Sequence, residues 1–120
     1  FIDGGALGFD TIAAETVIEM REKYQNIKLV MYLPCYGQSK MWKESEQFRY
    51  RMVLSKADKI IYITESVYTD DCMKLRNLKM IKDSSFCIAF CLMQKSGTGF
   101  TLRNAENVGI QIVNIADEMY

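Results

Sequence analysis

The sequence alternates short apolar segments of strand length with longer segments in which apolar residues recur at helical spacing. The predicted strands are residues 1–2, 28–33, 59–64, 85–93 and 111–115. The predicted helices are residues 8–24, 41–56, 71–83 and 101–107. Strands that alternate with helices of this length favour a parallel sheet with right-handed crossovers. We therefore expect an α/β three-layer fold with a mostly parallel sheet of about five strands and about four helices.

Length and charge narrow the class of protein. A chain of 120 residues with 49% hydrophobic and 25% charged residues is typical of one globular domain. We expect residues 1–120 to be a single domain that lacks an N-terminal segment, because the sequence begins inside a predicted strand. Fifteen basic and fifteen acidic residues cancel, which argues against a nucleic-acid partner held through many phosphate contacts. No apolar run approaches the ~18 residues of a membrane span, so no membrane contact is expected.

The cysteines argue against a metal site. The four cysteines contain no C-x-x-C pair, and the sequence has no histidine, so the usual zinc ligands are missing. Scattered cysteines are typical of a reducing cytosol rather than of a disulfide scaffold. We expect a cytoplasmic protein with neither a metal nor a cofactor.

A glycine-rich turn follows the first predicted strand. Gly4, Gly5 and Gly8 have the spacing G-G-x-x-G, which allows a tight turn and brings the backbone close to a ligand. The next helix presents unpaired N–H groups to this turn, so an anion or phosphate site is predicted at these glycines and Ala6. Alternatively, the connection simply needs glycine to turn. Asp10 either compensates the helix dipole or orients the glycine loop and a ligand hydroxyl.

Further candidates follow the second and third predicted strands. Pro34, Gln38 and Trp42 lie in or beside a strand-end loop, and ligands of open α/β sheets bind at the carboxyl ends of strands. Alternatively, the Trp42 ring only packs on the helix that follows. Another strand-end loop is predicted over residues 65–70.

Two more candidates lie on the later helices. Arg76 could bind a phosphate or carboxylate as a bidentate donor, or form a surface ion pair with Asp71 or Asp83. Gly97 and Thr98 lie just before the predicted helix at 101–107, which makes them a second candidate for an anion site at a helix N-terminus.

The pattern also predicts packing. Phe48 and Met52 are expected to face inward from the second helix by their helical spacing, with Tyr50 and Val53 as further candidates. Residues 85–93, the most apolar run, are expected to form a strand that is buried on both faces. Gly109 is expected to end the last predicted helix as its C′ residue.

Five segments together resemble a known family. Residues 1–10 are similar to the pattern F-I-S-G-G-A-x-G-x-D, with Asp3 in place of serine. The other matching residues are Leu33, Pro34, Gln38, Trp42, Gln47 and Tyr50, then Ala57 and Asp58, then Arg76, Asn77 and Met80, then Gly97, Thr98, Thr101 and Ala105. On these residues the chain resembles the YpsA-like family of the SLOG superfamily, which joins DprA with the LOG-type proteins.

The resemblance implies a Rossmann-like fold with a pocket for a nucleotide or nucleotide derivative. It adds Asn77 to the candidate site. It also implies that an N-terminal strand, loop and helix are missing here. The first hypothesis is a non-catalytic binder in which Asp10 braces the loop, Arg76 supplies a compensating charge, and Gly97 and Thr98 donate hydrogen bonds.

Three alternatives stay open at this point. A LOG-like nucleoside monophosphate phosphoribohydrolase would carry P-G-G-x-G-T-x-x-E, but residues 96–103 read S-G-T-G-F-T-L-R without the glutamate; Asp3 or Asp10 would have to serve. A DprA-like single-strand binder lacks a clear basic and aromatic stripe. An interaction module, including a homo-oligomer, could use the eight methionines.

Overall fold

A computed structural model describes residues 1–64, 69 and 71–119. The strand-end loop predicted at 65–70 therefore lies, except for Thr69, outside the described residues. Among the residues that are described, no helix combines the length and the apolar character that a membrane crossing would need.

Strands and helices alternate along the described chain. The strands are β1 (Ile2–Asp3), β2 (Val30–Leu33), β3 (Lys59–Tyr62), β4 (Phe86–Ala89) and β5 (Gln111–Asn114). The helices are α1 (Phe9–Arg21), α2 (Glu44–Lys56), α3 (Cys72–Lys82), α4 (Gly97–Asn107) and α5 (Ile115–Met119). Every strand pair is parallel, in one sheet of order β1-β2-β3 and a second sheet of β4 and β5. The expected α/β class with parallel strands is confirmed, and it is compatible with a Rossmann-like fold.

The chain divides into two compact units, Phe1–Arg76 and Asn77–Tyr120. The first unit contains the three-stranded sheet with α1 and α2, and the second contains β4 and β5 with α4 and α5. Helix α3 begins in the first unit and continues into the second.

The core of the first unit lies between α1, α2 and the sheet. Helix α2 contributes residues at positions i, i+3 and i+4 of one helical face, and the residue that directly follows the helix packs beside them. These residues are Tyr50, Val53, Leu54 and Ala57, and they pack with Ala14, Val17, Leu29, Met31 and Leu33. The expectation that Tyr50 and Val53 face inward is confirmed. The prediction that Phe48 and Met52 face inward is wrong, because this stripe turns them outward and leaves Phe48 57% exposed.

Asp58 ties three elements of this unit together. Its Oδ2 atom accepts hydrogen bonds from the Leu29 N–H at 2.8 Å and from Arg21 Nη1 at 2.6 Å. These two interactions, the backbone hydrogen bond first, hold the pKa of Asp58 below its usual value. One carboxylate therefore links the start of β3 to the residue that precedes β2 and to the end of α1.

Strand β4 has one covered face within the second unit. Phe86 and Ile88 are exposed, whereas Cys87 is half-buried and Ala89 is buried. The expectation of burial on both faces is therefore wrong for the described residues. Alternating exposure of this kind is typical of a sheet with helices on one side.

Helix α4 ends as the sequence predicts. Gly109 has φ +81°, its N–H donates to the Glu106 carbonyl at 3.0 Å, and the Ile110 N–H donates to the Ala105 carbonyl at 3.0 Å. Because a left-handed residue at C′ is best provided by glycine, the C′ prediction for Gly109 is confirmed.

Candidate functional site

Two carboxylates brace the glycine turn between β1 and α1. The Gly5 N–H donates to Asp3 Oδ1 at 2.8 Å, and the Ala6 N–H donates to Asp10 Oδ2 at 3.1 Å. The turn leaves the sheet through Gly5 at φ +69° and enters α1 through Gly8, with φ +86° and ψ −119°. Residues with a Cβ rarely adopt such angles. The backbone donors of Gly5 and Ala6 are thus already occupied by the chain's own side chains.

Arg76 fills the space that the missing side chain of Gly4 leaves. Arg76 is only 4% exposed, and its Nη1 donates to the Gly4 carbonyl. A Cβ on Gly4 would lie 2.7 Å from that nitrogen. Asp83, which was a candidate partner for a surface ion pair, instead binds Lys79 at 3.2 Å. Gly4 is therefore required by a protein side chain.

Gly5 packs just as closely on the core. A Cβ at this position would lie 2.9 Å from Leu33 Cδ2 and 3.2 Å from both Met31 Cε and Tyr50 Cε1. The inner side of the turn is therefore closed to a ligand. The outer side differs, because Leu7 and Gly8 are exposed and no atom lies within 4 Å of a Cβ built on Gly8.

Burial sets the charges of the Asp3, Asp10 and Arg76 group, which we call the acid–arginine cluster. Burial, and next the charge of Asp10, raise the pKa of Asp3 to about 8. Burial also raises the pKa of Asp10 and lowers the pKa of Arg76. A pKa of about 8 favours the protonated form of Asp3 at neutral pH.

Gln38 connects the loop after β2 to the glycine turn. Its Nε2 donates to the Gly5 carbonyl at 3.3 Å and to the Tyr50 hydroxyl at 3.2 Å. Its Oε1 is buried and has no hydrogen-bond partner among the described residues. The Trp42 ring meets Tyr50 edge-on, with the ring centroids 5.0 Å apart. The structure thus brings Gln38 to the turn, and Trp42 packs behind it.

The loop around Trp42 is held by a residue that only the family pattern had indicated. Gln47 Nε2 donates to the carbonyls of Ser39, Lys40 and Trp42 at 2.9, 3.2 and 3.2 Å. Pro34 is buried, and its carbonyl accepts a hydrogen bond from the Thr64 hydroxyl at 3.0 Å. Both residues shape the loop.

The remaining candidates belong to the second unit. Gly97 and Thr98 are exposed and form the start of α4, which begins four residues before the predicted position. The cause is Ser96, whose hydroxyl oxygen caps the helix by accepting the Gly99 N–H at 3.1 Å. Asn77 is half-buried on α3.

A cavity of about 560 Å³ lies at the carboxyl ends of β4 and β5. This volume is within the range of small-molecule sites. The polar residues that line it are Gln94, Arg103, Glu106, Asn114 and Asp117, and the other lining residues are Cys91, Leu92, Gly99, Leu102 and Ile112. No sequence motif had indicated this cavity, since its residues come from four separate segments.

Comparison with known proteins identifies the family. Residues 1–109 match the family model described as the YspA SLOG family. The chain belongs to this SLOG family. A UPF0398 protein of Bacillus cereus strain B4264 is 35% identical over 98 residues, which are 81% of this chain and 53% of that protein. UPF0398 proteins of Bacillus thuringiensis strain Al Hakam and B. cereus strain G9842 are 34% identical over the same shares. The chain spans about half the length of these relatives.

The tight packing at Gly5 predicts a difference between two glycines. Gly5→Ala adds a Cβ against Leu33 at positive φ, whereas Gly37→Ala adds one at φ +76° with no atom within 4 Å. Both variants carry the strain of positive φ, but only Gly5→Ala overpacks the core. We expect its free energy of unfolding in urea to fall by about 1–3 kcal/mol more than that of the Gly37→Ala control. Equal losses would contradict the packing role.

The acid–arginine cluster predicts an unusual pH dependence. Because the pKa of Asp3 is raised from 3.8 to about 8, the folded state binds the extra proton, and this contribution to stability is lost as pH rises between those values. Asp3→Asn keeps an oxygen that can accept the Gly5 N–H but removes the titrating carboxyl. The decrease of the free energy of unfolding with rising pH should therefore become smaller by up to about 1.4 kcal/mol per pH unit. Urea unfolding at several pH values between about 4 and 8 measures this slope. Asp58→Asn is the control and should leave the slope near neutrality unchanged, because the pKa of Asp58 is lowered.

Proposed function

We propose that this SLOG protein binds a nucleotide or nucleotide derivative at the outer side of its glycine turn. The observation that carries the proposal is the buried acid–arginine cluster, which fixes the turn from inside at the carboxyl end of β1. Ionisable groups with strongly perturbed pKa values cluster at functional sites more often than elsewhere. Family membership supports the same class of ligand.

The exposed side of the turn suits an anionic group. Leu7 and Gly8 are open to solvent, and α1 begins at Phe9. The positive end of a helix dipole and the N–H groups of its first turn attract phosphate. Because the turn is held by hydrogen bonds and packing, little conformational entropy would be lost when a ligand binds.

The charges of the cluster also permit an anion. A protonated Asp3 carries no charge, and the Arg76 guanidinium offsets negative charge on Asp10. The aspartate at the family's serine position therefore adds no full negative charge beside the ligand. Gln38 is proposed as a supporting residue of the site, because its Nε2 donates to the Gly5 carbonyl and so holds the turn in place.

In the second unit, Gly97 and Thr98 are the proposed anion contacts, because a helix N-terminus meets solvent there. Asn77 and Trp42 are proposed as supporting residues and Pro34 as a shaper of the loop. By likeness to the Bacillus relatives, we further propose a bacterial protein. From the scattered cysteines and the proposed site, we also propose that it is cytoplasmic, binds a small molecule and can form a homo-oligomer.

One observation keeps the hydrolase as a second candidate. Glu106 and Asp117 both line the cavity in the second unit, and N-glycosidic cleavage needs a carboxylate beside the ribose. By contrast, Asp3 and Asp10 already accept hydrogen bonds from the turn. Glu106→Gln would abolish hydrolysis in this alternative and leave simple binding intact.

The test uses nucleosides, nucleoside mono-, di- and triphosphates, and inorganic phosphate in thermal-shift and calorimetric titrations. A ligand present at 100 times its Kd stabilises the folded state by about 2.7 kcal/mol. Leu7→Glu places a negative charge on the outer side of the turn and should weaken phosphate ligands at least about tenfold. Met20→Glu makes the same charge change at the far end of α1 and should bind normally.

Three results would speak against this assignment. They are the absence of stabilisation by every compound, equal affinities of the two glutamate variants, and normal binding of phosphate ligands by Leu7→Glu. Chromatography of the nucleotides after incubation separates binding from hydrolysis, since only a hydrolase releases the free base.

A further inference from the structure

Two buried thiols face each other in the first unit. Cys35 follows β2, and Cys72 is the first residue of α3. The Cys72 Sγ donates to the Cys35 Sγ across 3.7 Å. The residues are 1% and 0% exposed, and both are free cysteines. Because 37 positions separate them in the sequence, only the folded chain creates this contact.

The distance is close to that of a bond. A disulfide joins its sulfurs at about 2.05 Å, so the two atoms need to approach by less than about 2 Å. Cys72 is the terminal residue of a helix, and helix ends fray more readily than helix interiors. A change of side-chain rotamer with a small shift at the start of α3 can therefore close the gap.

The surroundings give the two sulfurs different roles. Cys72 is the first residue of α3, and fraying of this helix end exposes its sulfur before the sulfur of Cys35. Burial, followed by the neighbouring Cys72, raises the pKa of Cys35 to about 11. Cys35 therefore stays protonated, and Cys72 is the sulfur that reacts first.

We propose that Cys35 and Cys72 are a modification site that forms a reversible disulfide with a peroxide as the oxidant. The Cys72 sulfur attacks one peroxide oxygen and gives up its proton, the O–O bond breaks, and the products are a Cys72 sulfenic acid and water. The Cys35 sulfur then attacks the sulfenic sulfur, loses its proton and expels a second water. Two thiols lose two electrons, and the peroxide gains them.

The disulfide would act on the glycine turn through α3. It fixes Cys72 to the end of β2, and the side chain of Arg76, one turn further on, holds the Gly4 carbonyl. Oxidation thus limits how far Arg76 can move away from Gly4. In the oxidised protein the turn keeps its braced conformation, whereas in the reduced protein the start of α3 is free to loosen.

The experiment treats the full chain with hydrogen peroxide, then unfolds it in iodoacetamide and digests it with trypsin. Cys35 lies in peptide 29–40, Cys72 in peptide 60–74, and both Cys87 and Cys91 in peptide 83–95. We expect a linked 29–40/60–74 product that dithiothreitol reverses, at least about tenfold more abundant than any link to 83–95. Alkylated 29–40 and 60–74 beside an oxidised 83–95 would overturn the proposal.

Two variants and one measurement complete the test. Cys72→Ala should leave Cys35 as a thiol after the same treatment, because the reactive sulfur is gone; oxidation of Cys35 at the wild-type rate would refute the assigned roles. Cys91→Ser should form the same linked product as the wild type.

Amide hydrogen exchange at residues 4–10 should slow at least about twofold on oxidation of the wild type and stay unchanged in Cys72→Ala. Unchanged exchange in the wild type would refute the effect on the turn.

Discussion

The burial of the Arg76 guanidinium is the constraint on which the first unit depends. A buried cation is costly unless polar groups surround it, and here the Gly4 carbonyl and two aspartates lie in its surroundings. The same aspartates accept the N–H groups of the next two residues of the turn. Strand end, glycine turn and α3 are thereby joined in one polar network.

Because of this network, the glycines of the turn make room for protein side chains and not for a ligand. In the usual arrangement, glycines after a strand let a ligand approach the backbone. Here one glycine makes room for an arginine and the next for Leu33, Met31 and Tyr50. A ligand can use only the outward side, where backbone conformation and the start of α1 determine what it meets.

Local pattern predicted much of the fold, because the alternation of strands and helices depends on neighbouring residues. It also located the glycine turn after β1 and the loop after β2. It failed where a decision depended on distant contacts: Gly4 and Arg76 are 72 positions apart, so no spacing rule could show which of them fills the turn. The prediction for Phe48 failed for a related reason. Helix α2 has two apolar stripes, and only packing against α1 and the sheet decides which stripe faces the core. Asp3 was noted as a departure from the family pattern, but only its burial reveals that it keeps a proton.

The close packing of Gly4 and Gly5 has a consequence for reading related sequences. These residues are needed by an arginine and by the core whether or not anything binds outside, and the angles at Gly8 also demand glycine. A relative that had lost its ligand would still have to keep the G-G-x-x-G spacing to fold. The motif is therefore a marker of architecture, and evidence for retained binding has to come from the side chains that border its exposed face.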